Sequence, residues 1–221
     1  LTFSDPAGYT LDTLNGNIGN DQLIVKSGTL AVDTSLTNVE TITLSSGELT
    51  GDGTISTDFI LNGGAGKLSG TGPINGNITL NGGTLSRTGL ITGDVTNQGG
   101  TVAPGGISTI GALYIDGSYT QSSGVLELEA NSTGVAGTDY DWLGISGVTT
   151  FTGGDINLVK LAYTPAVGDE FDFISCSQVG ISCMSGIPAF TNIIDFSNIT
   201  TSTSSIKTSY IGGIVLIVID E

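Results

Sequence analysis

An all-β fold is what this sequence predicts: a right-handed parallel β-helix, with three short strands in each coil of about 17–19 residues, followed by a β-rich C-terminal portion. Three observations lead there. The motif Leu-x-x-x-Gly-x-Ile is written three times, at residues 49–55, 68–74 and 85–91. Val25, Leu44, Leu61, Leu80 and Asn97 hold equivalent places and recur at nearly even steps, each one coil long. Val, Ile, Leu, Thr and Gly dominate the composition, with 35 glycines and 12% charged residues, and no stretch carries a helical period.

A coil this short cannot bury its own apolar positions. Stacked about 4.8 Å apart, the coils line those positions into columns and satisfy the backbone through parallel hydrogen bonds. The inward residues are Leu44, Leu49 and Ile55, then Leu61, Leu68 and Ile74, then Leu80, Leu85 and Ile91. Glycines belong at the corners, where the chain turns sharply. Two extra residues within 64–67 predict a bulge at one corner of the third coil. Asn62, Asn81 and Asn97 precede glycine pairs or near-pairs and predict a ladder of corner amides rather than a ligand site.

Taken in order, residues 1–22 are polar and rich in Asn and Gly around Leu1, Phe3, Tyr9, Leu11 and Leu14, as expected of a starting strand and partial coil that caps the open end. Residues 23–106 are the coils. Residues 107–221 continue the helix and add terminal strands with a disulfide loop. In that part Leu126 and Leu128 alternate with Glu127 and Glu129, which predicts one buried and one solvated face. Cys176 and Cys183 enclose six residues and are expected to close a short bridged loop. Residues 213–220 are almost continuously apolar and predict a strand buried on both faces or lent to a neighbour.

One family likeness rests on named residues. Gly82-Gly83-Thr-Leu, Ala103-Pro104-Gly105, Tyr119-Thr-Gln121, Tyr140-Asp141-Trp-Leu143, Gly153-Gly154 and Pro165-x-x-Gly168-Asp169-x-Phe171 together resemble the end of autotransporter-type passenger domains and related bacterial surface β-helix proteins. The resemblance covers roughly residues 42–175 and speaks to architecture. It implies an extracellular or cell-surface location, with activities in the family ranging over adhesins, proteases and structural fibres.

Charge narrows the function classes. Five Lys+Arg against 21 Asp+Glu give a formal charge of −16, the opposite of what nucleic acid or an anionic membrane surface requires. The longest apolar run, 214–219, is too short to span a bilayer. The chain starts at Leu1 without a charged-then-apolar leader, as expected if a signal peptide has been removed. Histidine is absent, which excludes Ser-His-Asp and Cys-His nucleophiles and histidine metal sites.

Carboxylate pairs for glycoside hydrolysis would come from Asp139 with Asp141, from Asp169, Glu170 and Asp172, or from Glu127 with Glu129. The last pair has the pattern of a wet strand face. The five cations Lys26, Lys67, Arg87, Lys160 and Lys207 are scattered, which disfavours a lyase. No catalytic residue is therefore assigned, and the protein is expected not to be an enzyme. Calcium is the one cofactor kept as a candidate, at Gly51-Asp52-Gly53 and Gly153-Gly154-Asp155, although both read more simply as tight turns. Tyr9, Tyr114, Tyr119, Tyr140, Trp142, Tyr163 and Tyr210 are the aromatics that could hold sugar, with Trp142 expected to pack beside Leu143. Asn77, Asn131 and Asn198 match the glycosylation acceptor, as chance allows in a chain rich in Asn and Thr.

The expected function is a structural or adhesive solenoid of a microbial surface, partnered by its own copies or by surface glycans. Head-to-tail stacking would use Leu1, Phe3, Tyr9 and Leu11 at one end and Ile214, Leu216 and Val218 at the other. The alternative is a carbohydrate-binding or carbohydrate-cleaving passenger. An ice-binding face would need a flat, regular threonine array, and threonine spacing along the chain is irregular.

Overall fold

The computed structural model describes residues 1–16, 21–62, 64–164 and 169–176, together with the strands Met184–Ser185, Asn192–Ile194, Ser205–Ile211 and Ile214–Asp220. Its 22 strands form one hydrogen-bonded sheet wound into a parallel β-solenoid, and no helix occurs among the described residues.

Three inward columns run up the stack, one per sheet. The first is Phe3, Val25, Leu44, Leu61, Leu80, Asn97, Gln121 and Phe151. The second is Tyr9, Leu30, Leu49, Leu68, Leu85, Val102, Leu126 and Ile156. The third is Leu14, Leu36, Ile55, Ile74, Ile91, Ile115, Ile145 and Cys176. The predicted equivalence of Val25, Leu44, Leu61, Leu80 and Asn97 is the register of the first column. All nine inward Leu and Ile positions from Leu44 to Ile91 are buried. Residues 61–68 carry the expected bulge, with Gly64 and Ala65 exposed in a turn and open space around Gly64.

Outward positions are stacked too. On the first sheet Thr43, Ile60, Thr79, Thr96, Thr120 and Thr150 share one column, so irregular spacing along the chain becomes a regular row across the coils. Beside it a staircase of side chains holds the corner: Asp58 Oδ1 accepts the N–H of Asn77, Asn77 Oδ1 that of Asp94, and Asp94 Oδ1 that of Ser118, at 2.7–2.9 Å. The amide oxygen of Asn77 is thus already employed. Asn198 lies outside the described residues.

The asparagine ladder forms only in part. Asn81 Nδ2 donates to Asn62 Oδ1 at 2.8 Å. Asn97, by contrast, sits one place earlier in the coil, above Leu80, and is buried in the core. Its Oδ1 accepts the N–H groups of Gly99 and Gly100, and its Nδ2 reaches Gly100 O and Gln121 Oε1. Tyr119 Oη donates to the same Gln121 oxygen at 2.6 Å. A polar island therefore interrupts the apolar core, with its members bonded to one another as burial requires.

Above that island the coils lengthen, first between Asn97 and Gln121 and again between Gln121 and Phe151. The extra residues gather at the corner between the second and third sheets. The inward positions flanking that corner are Leu85 and Ile91 in the last short coil, Val102 and Ile115 in the next, and Leu126 and Ile145 in the one above. Each span is longer than the one before. The strands Tyr119–Ala130 and Asp155–Lys160 run past this corner side by side. They widen the core, which here takes in Leu128, Leu158 and Ala130 and the packed rings of Tyr140, Phe171 and Phe173.

The ends differ from each other. Thr2–Ser4 and Tyr9–Asn15 pair in parallel with Gln22–Ser27 and Thr29–Leu44 as a first coil. Leu1 and Tyr9 remain 71% and 60% exposed on it, and Phe3 is half-buried. At the other end Ile214–Asp220 pairs antiparallel with Glu170–Cys176 along one edge and with Ser205–Ile211 along the other. Both edges of this strand are thus used within its own chain, which removes Ile214, Leu216 and Val218 from the set of strands free to be lent. Cys176 is buried and is not a free thiol, while Cys183 lies outside the described residues.

Candidate binding site

The lengthening of the coils creates a ledge. Coils 67–71 and 86–88 stop short at the corner, and the first long loop, residues 105–111, overhangs them. Between them lies a cleft of about 450 Å³. Lys67 and Arg87 enter it from successive coils, together with the hydroxyl residues Ser69, Thr71, Thr88 and Thr109. The expectation of scattered cations fails here. The pairing of Lys67–Leu68 with Thr84–Arg87 puts the two on neighbouring rungs.

Arg87 is the unusual member. Its side chain is 2% exposed, yet its partners are all carbonyl oxygens: Nε donates to Thr88 O at 3.3 Å, Nη1 to Ser69 O at 3.4 Å and Nη2 to Gly72 O. The ion pair found among the described residues is Lys67 Nζ with Glu48 Oε1, at 3.1 Å. Burial pulls the Arg87 guanidinium down to about 10, so it keeps its charge at neutral pH. A guanidinium offers five N–H groups, and the three carbonyl contacts leave part of that capacity and all of the charge unmatched.

Buried carboxylates hold the roof of the cleft. Glu129 Oε1 accepts the N–H of Ser108 at 2.6 Å. Asp141 Oδ1 accepts the N–H of Gly111, and its Oδ2 that of Glu129, both at 2.9 Å. Glu129 is 1% and Asp141 0% exposed, so the expected wet face at Glu127 and Glu129 is corrected: Glu129 turns under the loop and only Glu127 is half-exposed. Burial pushes Asp141 up to about 8 against the pull of its two N–H donors, with the neighbouring charges of Glu129 and Glu127 adding to the rise. Burial also raises Glu129 and Glu127. The loop itself needs glycine: Gly105 has φ +82°, and a Cβ there would collide with Thr109 O.

The outer face of the third sheet carries the aromatics. Ala112–Ile115 pairs with Trp142–Ile145, and the rings of Tyr114 and Trp142 lie 6.2 Å apart at 14° to each other. Trp142 packs, but outside the solenoid, over Gly144, where a Cβ would strike the ring. Leu90, one coil below Tyr114, extends the strip. Tyr119 and Tyr140 are buried, which removes them as sugar platforms.

The remaining candidates are spread out. Asp139 is occupied within its own loop by the N–H of Val135 and the hydroxyl of Ser132, and both contacts lower it. Asp172 lies on Glu170–Cys176, between the buried rings of Phe171 and Phe173. Asp52 accepts the hydroxyl of Thr71, and Gly51 and Gly154 have φ of +121° and +82°, as tight turns require. No group of three acidic, Cys or His residues able to hold a metal ion occurs among the described residues. No helix there is long and apolar enough to cross a membrane.

These features define the class: a parallel β-solenoid with one elaborated corner. No protein-family model, curated protein or solved structure matches the chain.

Proposed function

We propose that this chain is an extracellular, non-enzymatic β-solenoid of a microbial surface, and that it works by adhesion, holding carbohydrate against the third-sheet face. The carrying observation is the near-parallel pair Tyr114 and Trp142 on adjacent rungs, half-exposed and continued by Leu90. Sugar rings present flat C–H faces that pack on aromatic faces while their hydroxyls stay wet, and rungs of a parallel sheet hold such rings rigidly. The likeness to passenger domains supports the surface location. A bridge from Cys176 to Cys183 fits the same oxidising setting.

Binding to an array of microbial polysaccharides, read by biolayer interferometry, tests the proposal. Trp142→Ala combined with Tyr114→Ala should weaken retention at least tenfold while leaving the circular dichroism spectrum intact. Undiminished binding by the double variant would reject the assigned face.

A further inference from the structure

We infer that the cleft under residues 105–111 is an oxyanion site, built to take a carboxylate, sulfate or phosphate group against Arg87 and Lys67.

Three independent features converge on it. A buried cation normally has an acid beside it, because carbonyl dipoles satisfy its hydrogen bonds but do not neutralise it. Arg87 has carbonyls at Thr88, Ser69 and Gly72, and no carboxylate pairs with it among the described residues. Arg87 is nonetheless one of the residues that line an open cleft of about 450 Å³, large enough for an anionic group and part of the molecule that bears it. The second cation of the cleft is Lys67, whose side chain is 44% exposed and able to swing from Glu48 to a ligand. Finally, the lining brings in the hydroxyl residues Thr88 and Thr109, the short polar groups that complete an oxyanion shell, while the hydroxyls of Ser69 and Thr71 are given to Glu48 and Asp52.

The background sharpens the point. In a chain with five cations and 21 acids, two of the five meet in one cleft. Its roof is fixed by backbone bonds to Glu129 and Asp141, so these two acids are committed to loop support. Gly106 leaves room beside Ser86: a Cβ there would come within 2.8 Å of Ser86 Oγ. Planar guanidinium groups engage carboxylate and sulfate through paired N–H donors, and a preset geometry lowers the entropic cost of doing so.

The inference stands apart from the aromatic face, since a small inorganic anion probes the cleft without any sugar. The test is a sulfate titration at constant ionic strength, with chloride as the balancing anion. Heteronuclear NMR follows the Arg87 side-chain Nε–H and the backbone amides of residues 105–111. The wild-type protein should show saturable shifts at these groups with a millimolar dissociation constant. Lys67→Gln, chosen because the residue is partly exposed and the fold does not depend on it, should raise that constant at least tenfold. Arg87→Lys should abolish saturation, and the Lys67 variant keeps the result interpretable if the Arg87 variant fails to fold. Shifts that grow linearly with sulfate, or that are equal in Lys67→Gln, mark general salt effects and overturn the inference.

A second arm identifies the source of the anion. Polyuronate, sulfated polysaccharide and phosphorylated polymer are compared with a neutral glucan in the same spectra. The matching polymer should saturate the same amides at lower concentration than free sulfate. Indifference of the cleft to all three acidic polymers would overturn its role as a polymer-binding site.

Discussion

The lower and upper halves of the solenoid use one architecture and two strategies. From Gln22 to Pro104 the coils are nearly uniform, with near-equal steps, short corners and a single core of Leu, Ile and Val columns. From Ala112 to Cys176 the same columns continue, but each coil is longer than the last and the core gains a cluster of aromatic rings at one corner. The polar island of Asn97, Tyr119 and Gln121 marks the junction. Uniform coils give stability that adds up from repeat to repeat. Chemistry enters where uniformity ends, because only an inserted loop can carry backbone over the side of a stack and enclose a cleft.

If the halves are distinct in this sense, a cut in one should be felt mainly there. Phe171→Ala removes a ring packed on Tyr140, Phe173 and Tyr163, and Leu61→Ala opens the lower core. The first should cost about 3–5 kcal/mol and the second about 2–5 kcal/mol. Amide exchange should speed up in residues 126–130 and 140–145 for the first variant and in residues 42–80 for the second. Loss of protection along the whole chain in both would erase the distinction.

Reduction should also act on the upper half alone. If Cys176 and Cys183 form the proposed bridge, its closure of a loop of about eight residues is worth about 2–3 kcal/mol. Dithiothreitol should lower the stability of the upper half by that amount, read as a shift of its denaturant midpoint, and both thiols should resist alkylation beforehand. Ready alkylation of the unreduced protein would remove the bridge.

The pH response should separate the halves as well. The folded Asp141 holds its proton up to about 8, against an ordinary value of 3.8. Between those values the folded state binds more protons than the unfolded one, so this contribution is complete below pH 4 and is lost as pH rises toward 8. The slope is at most about 1.4 kcal/mol per pH unit. Asp141→Asn should flatten it, while leaving the Gly111 or Glu129 N–H without its acceptor and so lowering stability at pH 5. An unchanged slope in the variant, measured by urea midpoints at pH 5 and 8, would assign the pH response elsewhere.

Much of the fold was legible beforehand, for a reason visible in single residues. Leu49, Leu68 and Leu85 announce one another because each must sit on the last, and a constraint repeated every coil survives as a pattern in the chain. Asn97 shows where the pattern misleads. Its neighbourhood of glycines resembles that of Asn62 and Asn81, but its place in the register is inward, and register is what decides burial. Glu129 misleads for a related reason. Alternation correctly separates it from Leu128, yet whether its side of the strand is wet depends on the loop at Ser108, a coil earlier in the chain. Lys67 and Arg87 are separated by a whole coil of sequence and look unrelated until the stack places them on adjacent rungs.

Coil length, the three inward columns and the glycine corners are therefore properties of the sequence itself, since each follows from nearest-neighbour stacking of local repeats. The cleft, the unpaired guanidinium within it, the buried carboxylates that hold its roof and the ring pair outside are decided by tertiary structure. They depend on the path of inserted loops and on which residues meet across coils, and no local periodicity encodes either.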